Sequence, residues 1–141
     1  MTPNEGFIVD ALTVDSVAVS PSTNFSFTNV IANHTIAVSY KLKTYTITTS
    51  SGANGVVSLS SIVTHGSSAT VTFTPNVNFI VDALTIDGAV VPSALSHTFT
   101  NVIAPHTVTV TYKLQSYLVA TSTDTNGTIT VSSAVNHGSD F

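Results

Sequence analysis

The sequence contains no cysteine and no tryptophan, and only 7% of its 141 residues are charged. The absence of cysteine excludes disulfides, thiolate nucleophiles, iron–sulfur clusters and zinc–thiolate sites. An average soluble domain has about 25% charged residues. Here serine and threonine take their place and together make up roughly 30% of the chain. This surface chemistry is not typical of a cytosolic enzyme.

Positive charge is especially scarce, with three Lys+Arg against seven Asp+Glu and a net charge of -4. Nucleic-acid binding is excluded, because no basic patch is available to neutralise phosphates. Long apolar runs are also missing: no stretch approaches the roughly 20 residues that a transmembrane helix needs. We therefore expect no membrane insertion.

The chain repeats itself with an offset of 72 residues. Residues 2–4 (TPN) return at 74–76, and residues 7–13 (FIVDALT) return at 79–85. Roughly half of all aligned positions are identical, which chance does not produce. The sequence therefore comes from a tandem array.

The repeat predicts one complete module at residues 45–114, because the junction at 40–45 has the same pattern as the junction at 112–117. A module consists of a short segment and a long segment, and residues 70–72 of the complete module lie between them; the two partial modules have no equivalent of these three residues. The short segments are residues 45–69 and 117–141, and the long segments are residues 73–114 and 1–42. Residues 1–42 are thus the later part of one module and residues 117–141 the early part of another, so we expect the chain to be cut in mid-repeat at both ends.

Apolar and polar residues alternate with period two, as in half-buried strands. Val71 and Phe73, for example, face away from Thr70 and Thr72. Turn signals such as Asp87-Gly88 separate these runs, and β-branched residues disfavour helix. The prediction is an all-β fold of tandem small β-sandwich modules, each with about seven short antiparallel strands.

Several motifs occur in a fixed order through each module. They are Tyr45-Thr46-Ile47, Asn54-Gly55, His65-Gly66-Ser67, Thr74-Pro75-Asn76, Asp87-Gly88 and the closing Asn101-Val102 to His106-Thr107. In this order they resemble the divergent internalin-B-repeat-like bacterial repeat family, over the whole chain. The resemblance implies a small all-β module, found in tandem in secreted or surface-attached prokaryotic proteins, with no catalytic residues. The expected location is extracellular or at the cell surface.

Two positions depart from the family pattern. Asn78 stands where a glycine is usual, and Asp15-Ser16 replaces the Asp-Gly turn in the first long segment. Because serine does not share the conformational freedom of glycine, Ser16 predicts a different turn geometry there.

No set of residues predicts catalysis or cofactor binding. Four of the five histidines are paired by the repeat, as a structural role would require. We expect His106 to be a buried, hydrogen-bonded imidazole with no carboxylate at metal-ligand spacing. Asp82 is expected at a β-bulge or edge and Asp87 in a hairpin turn; these two are only weak metal candidates. Serine lacks a nucleophile-elbow motif, so we predict no enzyme, no metal and no cofactor.

The function expected from these features is structural, as a segment of an extracellular filament, stalk or surface array. An unfinished sandwich exposes strand edges that are templates for another chain. Residues 117–141 of one subunit would complete a module with residues 1–42 of the next, giving a head-to-tail homopolymer; in a longer array the same contacts would lie within one chain. The residues expected to carry this assembly are Phe7, Val9, Phe27, Val38, Tyr40, Tyr117, Val119, Ile129, Val131 and Phe141.

The alternative is an adhesin or carbohydrate-binding surface module with a glycan or protein ligand. Sugar-binding platforms use exposed aromatic rings, but the chain has no Trp. Its four tyrosines flank the module junctions, where packing explains them more simply; they are Tyr40, Tyr45, Tyr112 and Tyr117. A junction tyrosine that faces solvent would favour this alternative.

Overall fold

A computed structural model describes residues 1–119, 123–128 and 134–140, and these ranges contain β-strands and no helix. The prediction of an all-β fold is confirmed. Within the same ranges, no helix has the length and apolarity to span a membrane. The strands are β1 (Phe7–Val14), β2 (Val17–Val19), β3 (Ile36–Leu42), β4 (Thr44–Ser51), β5 (Gly55–Val57), β6 (Ser61–Thr64), β7 (Ala69–Pro75), β8 (Phe79–Ile86), β9 (Ala89–Val91), β10 (Ser96–Phe99), β11 (His106–Leu114), β12 (Ser116–Leu118) and β13 (Ala134–Asn136).

Strand β11 shows how the alternating sequence becomes structure. Val108, Val110 and Tyr112 are buried, whereas the intervening Thr109 and Thr111 are exposed. Successive side chains of a strand point to opposite faces, so the apolar set forms one continuous buried row. Eight strands, β4 to β11, lie in the stretch for which the sequence predicts about seven.

Two hairpins, β1–β2 and β8–β9, share one turn geometry. Asp15 and Ser16 have φ of 48° and 66°, and Asp87 and Gly88 have φ of 50° and 80°. Each is a two-residue loop with both residues in the left-handed region, which suits the twist of the flanking strands. The expectation that Ser16 gives a different turn is therefore wrong: hairpin register imposes the geometry and the serine adopts it.

A β-bulge interrupts β1 and β8 at equivalent positions. The pairing of β1 with β3 shifts between Val9 and Ala11, which leaves Asp10 as the extra residue. The pairing of β8 with β11 leaves Asp82 in the same position. Of the two positions predicted for Asp82, a bulge or an edge, the bulge is confirmed, and Asp10 occupies the equivalent place.

The described chain divides into two compact units. The first comprises Met1–Ile47, Ser61–Ala69 and Phe99–Pro105. In it, β1 lies between β2 and β3 in an antiparallel sheet, and the first half of β4 pairs with β6. Its buried apolar side chains are Leu12, Val14, Ile47, Val63, Phe99 and Val102.

The second unit comprises Thr48–Ser60, Thr70–Thr98 and the described residues from His106 onward. Here β8 lies between β11 and β9, β5 pairs with β7, and β12 pairs with β13, all antiparallel. Its buried apolar side chains are Val71, Phe73, Val81, Leu84, Val108, Val110 and Tyr112.

Candidate functional site

The two long segments have closely related sequences but bury their equivalent residues to different degrees. Tyr112 is 9% exposed, whereas its equivalent Tyr40 is 40% exposed. Val108 is 1% exposed and its equivalent Ile36 is 43% exposed. The first long segment therefore presents to solvent an apolar face that is buried in the second.

In the second long segment, β5 of the preceding short segment covers Tyr112. The Tyr112 hydroxyl donates a hydrogen bond of 2.6 Å to the carbonyl of Val56. A Cβ atom on Gly55 would lie 2.5 Å from carbons of the Tyr112 ring, which is closer than real Cβ atoms approach. The ring thus rests on the glycine backbone, and only glycine leaves room for it.

In the first long segment, the equivalent ring lines an open cavity. Tyr40, Phe7, Thr2 and Asn4 surround a volume of about 180 Å³. Residues 1–3 correspond to the end of β7 but form no strand. Met1 nevertheless makes the equivalent contact. Its amino group donates to the Thr23 carbonyl at 2.8 Å, and in the second long segment the N–H of Phe73 donates to the Leu95 carbonyl at 2.9 Å.

The turn at 64–67 of the short segment also contacts the long segment, through two backbone hydrogen bonds with Val102. The N–H of Gly66 donates to the Val102 carbonyl at 2.8 Å, and the N–H of Val102 donates to the Ser67 carbonyl at 2.9 Å. Val102 is fully buried, whereas its equivalent Val30 is exposed. The turn at 136–139 has the same local geometry, with Gly138 at φ 74° against 78° for Gly66.

The residues that the sequence assigned to assembly lie in several environments. Phe7, Tyr40 and Tyr117 are exposed, and Val9, Phe27, Val38 and Val119 are half-buried. Ile129, Val131 and Phe141 lie outside the described residues. Sequence reasoning missed Val30 and Ile36, although the 72-residue offset to buried equivalents could have found them.

Consecutive segments join through one backbone contact that occurs twice. Lys43 N–H donates to the Gly6 carbonyl at 2.7 Å, and the Lys43 carbonyl accepts from His65 N–H at 2.8 Å. The His65 imidazole covers Gly6, where a Cβ would collide with it. The equivalent contacts, both 2.8 Å, link Asn78, Gln115 and His137. Asn78 keeps the left-handed backbone of Gly6, with φ of 69° against 78°.

His106 contacts a carboxylate that sequence spacing did not indicate. Its Nδ1 lies 2.7 Å from Oδ2 of Asp87, and Thr107 N–H donates to Oδ1 at 2.7 Å. The hydrogen bond from His106, followed by that from Thr107, lowers the pKa of Asp87 below its usual value. His106 is hydrogen-bonded as predicted, but its side chain is only half-buried, because it closes an exposed hairpin.

The two weak metal candidates are engaged with separate partners. Asp87 is held by His106 and Thr107, and Asp82 forms an ion pair of 2.9 Å with Lys113. An equivalent pair joins Asp10 to Lys41. Among the described residues, no cluster of three or more His, Cys, Asp or Glu side chains is arranged to hold a metal ion.

Comparison with known proteins identifies the family. A family model described as the divergent InlB B-repeat domain matches residues 45–116, about half of the chain. A search of curated proteins found no match, and a search of solved structures found none either. The matched stretch runs from Tyr45 in β4 to Ser116 at the start of β12. The chain therefore belongs to the divergent InlB B-repeat domain family, a family of non-catalytic repeat modules of bacterial surface proteins.

Proposed function

We propose that this chain is a structural repeat of an extracellular filament, stalk or surface array whose copies join head to tail. Residues 117–141 of one copy pack on residues 1–42 of the next. Together these segments form a module equivalent to residues 45–114 without residues 70–72. The joint is a form of strand complementation, in which one chain supplies strands that another lacks.

The difference in exposure between Tyr40 and Tyr112 carries this proposal. The same side chain at the same place in the repeat is buried by β5 in one case and lines an open cavity in the other. Burial of apolar surface contributes about 25 cal/mol per Å². Cover for the first long segment is therefore favourable, and the second short segment has the sequence to provide it.

The low charge of the chain also favours association. Soluble proteins protect exposed strand edges with lysines and inward-facing charges. Only three Lys+Arg occur in 141 residues, and Lys41 and Lys113 are held in ion pairs with Asp10 and Asp82. The exposed face of the first long segment thus has little to oppose a second copy.

Oligomeric state tests the proposal directly. Size exclusion with light scattering over a dilution series, together with negative-stain microscopy, should reveal multimers or filaments that resist dilution, because a completed core resembles a folded domain. Ile36→Asp places a charge on the exposed face and should leave monomers. Val90→Asp alters an exposed apolar residue of β9 and should assemble normally. A wild-type chain that stays monomeric at high concentration overturns the proposal.

Exposure of Tyr40 and Tyr117 supports a second candidate, a carbohydrate-binding or adhesive module. Tyr40 and Phe7 offer apolar ring faces, and Thr2 and Asn4 offer hydrogen-bonding groups around the same cavity. Aromatic and polar groups together are typical of sugar contacts. A glycan screen with the wild type and Tyr40→Ala checks it: binding that the variant loses, while Ile36→Asp retains it, would favour this role.

A further inference from the structure

We infer that residues 126–128 of one copy add as a strand to residues 1–4 of the next, with Gly127 lying beneath the ring of Tyr40. This inference rests on the proposed head-to-tail assembly. The partner is a second copy of this chain. The contact consists of the strand added by residues 126–128 and the ring of Tyr40.

The register follows from the complete module. There, Gly55 pairs with Pro75 and Val56 pairs with Thr74 in an antiparallel ladder. The equivalent of each β5 residue lies 72 positions later in the chain, and the equivalent of each β7 residue lies 72 positions earlier. The pairs therefore become Gly127 with Pro3, and Thr128 with Thr2, of the next copy. The hydrogen bond from Asn76 N–H to the Asn54 carbonyl, 2.9 Å, becomes Asn4 N–H to the Asn126 carbonyl.

The turn that presents this strand has the same hydrogen bond in both short segments. Ser51 Oγ donates to the Gly55 carbonyl at 3.1 Å, and Thr123 Oγ1 donates to the Gly127 carbonyl at 3.0 Å. The turn that leads into the added segment therefore has the same hydrogen bond before docking as in the complete module. This preorganisation reduces the entropy that binding costs.

Among the described residues of its own chain, none gives position 127 a need for glycine. The nearest of their atoms to a Cβ placed on Gly127 is Thr123 Oγ1 at 3.9 Å, and the φ of Gly127 lies outside the left-handed region. At Gly55, by contrast, the Tyr112 ring occupies the space of a Cβ. A second copy whose Tyr40 rests on Gly127 would give this glycine the same steric requirement.

The acceptor side also matches. Tyr40 has the hydroxyl that in Tyr112 donates to the Val56 carbonyl, so its equivalent partner is the carbonyl of Thr128. Thr2 and Asn4, which line the cavity beside Tyr40, are the residues that the added strand would pair with. Strand addition of this kind uses backbone hydrogen bonds for affinity and a side-chain contact for specificity.

The first test compares Gly127→Ala with Gly55→Ala. Gly127→Ala should keep the thermal midpoint of the dissociated chain and raise the concentration for half-maximal assembly at least about tenfold, because the methyl group collides with Tyr40. Gly55→Ala should lower the thermal midpoint of the chain itself. If wild-type multimers resist dilution, the same comparison is made in mild urea.

The second test uses single cysteines, since the chain has none of its own. Thr2→Cys chains mixed with Thr128→Cys chains should form a disulfide-linked dimer on oxidation, because directly opposed residues of an antiparallel pair have Cβ atoms about 4.5–5.5 Å apart. Val90→Cys replaces Thr128→Cys as the control. A chain with Val56→Cys and Thr74→Cys gives the same linkage internally, as a positive control.

The outcomes separate the two proposals. If the wild type assembles but Gly127→Ala assembles equally well and no cross-link forms, this inference is overturned while head-to-tail assembly stands. If the wild type does not assemble at all, both are overturned. Loss of assembly in Gly127→Ala together with the specific cross-link supports both.

Discussion

His106 and Asp87 join the start of one strand to the tip of a hairpin, with Nδ1 and Oδ2 2.7 Å apart. His34 and Asp15 form the same contact at the same distance in the first long segment. An ionised carboxylate only accepts hydrogen bonds, so the imidazole Nδ1–H is the donor. Asp15 and Asp87 are each the first residue of a hairpin turn and have a left-handed backbone. Their carboxylates also bind the histidines, His34 and His106, that lie 19 residues further along the chain.

This contact predicts a loss of stability in acid. Hydrogen bonds from the histidines lower the pKa of Asp15 and Asp87. A lowered folded pKa gives stability that is fully present above the unfolded value of about 3.9 and is lost as pH falls through the folded value. Circular dichroism from pH 6 to pH 2 measures this effect. The melting temperature should decrease as the pH is lowered beyond about 4.

Asp87→Asn separates this charge effect from the turn itself. Asparagine tolerates the left-handed backbone and keeps an oxygen to accept from Thr107, but it carries no charge. The variant should melt lower than the wild type at pH 6 and should lose less stability on acidification. A variant with the same acid dependence as the wild type would contradict the assigned role of the His106 contact.

Ser16 is a second place where one residue change should alter stability. A non-glycine residue in the left-handed region costs roughly 1–2 kcal/mol, and the greater freedom of glycine in the unfolded chain offsets part of this. Ser16→Gly should therefore stabilise the chain by about 0.5–1 kcal/mol. Gly88→Ser, at the equivalent turn, should destabilise it by a similar amount. Urea unfolding measures both, and equal effects of the same sign would exclude this explanation.

The junction glycine offers a test through a double-mutant cycle. Gly6→Asn introduces asparagine, the residue at the equivalent position 78 of the same chain. Asn78 shows that asparagine accepts the backbone angle of this position. The introduced side chain must displace the His65 imidazole, and we expect a loss of about 1–3 kcal/mol by overpacking. In a chain that also carries His65→Ala, the loss should be smaller, since the colliding ring is gone. Asn78→Gly is the matched control and should change stability little.

Additive effects of Gly6→Asn and His65→Ala would show that the two side chains do not compete for one space. Unfolding free energies from urea denaturation give all four corners of the cycle. Because His65 also donates its backbone N–H to Lys43, the alanine substitution retains that hydrogen bond and removes only the ring.

The features that could be predicted from the sequence are those that depend on residues close together in the chain. The alternation around Val110 and the turn at Asp87-Gly88 follow from neighbouring residues, and so does the placement of Asp82 at a bulge. The His106–Asp87 contact could not be read in this way, because 19 residues separate the partners and only the hairpin brings them together.

Burial of the tyrosines shows the same limit more sharply. Tyr40-Lys41-Leu42 and Tyr112-Lys113-Leu114 are identical in sequence, and both lie in a strand that pairs with a bulged neighbour. Their exposure differs because β5 lies against only one of them. The candidate site is therefore a property of the spatial surroundings of the two long segments and not of their local sequence.

The equivalent pair Val108 and Ile36 provides a test that links this comparison to energy. In chains that carry Gly127→Ala, at concentrations where light scattering shows monomers, Val108→Ala should cost about 2 kcal/mol, from lost burial of two methyl groups and the cavity left behind. Ile36→Ala should cost less than about 1 kcal/mol in the same chains, because much of its side chain is already exposed to water. In chains with Gly127 intact, Ile36→Ala should additionally weaken assembly, since the added segment would bury this residue as Val108 is buried. Equal costs at the two positions in the unassembled chain would mean that the first long segment is already covered, and the exposed face would then not be an assembly surface.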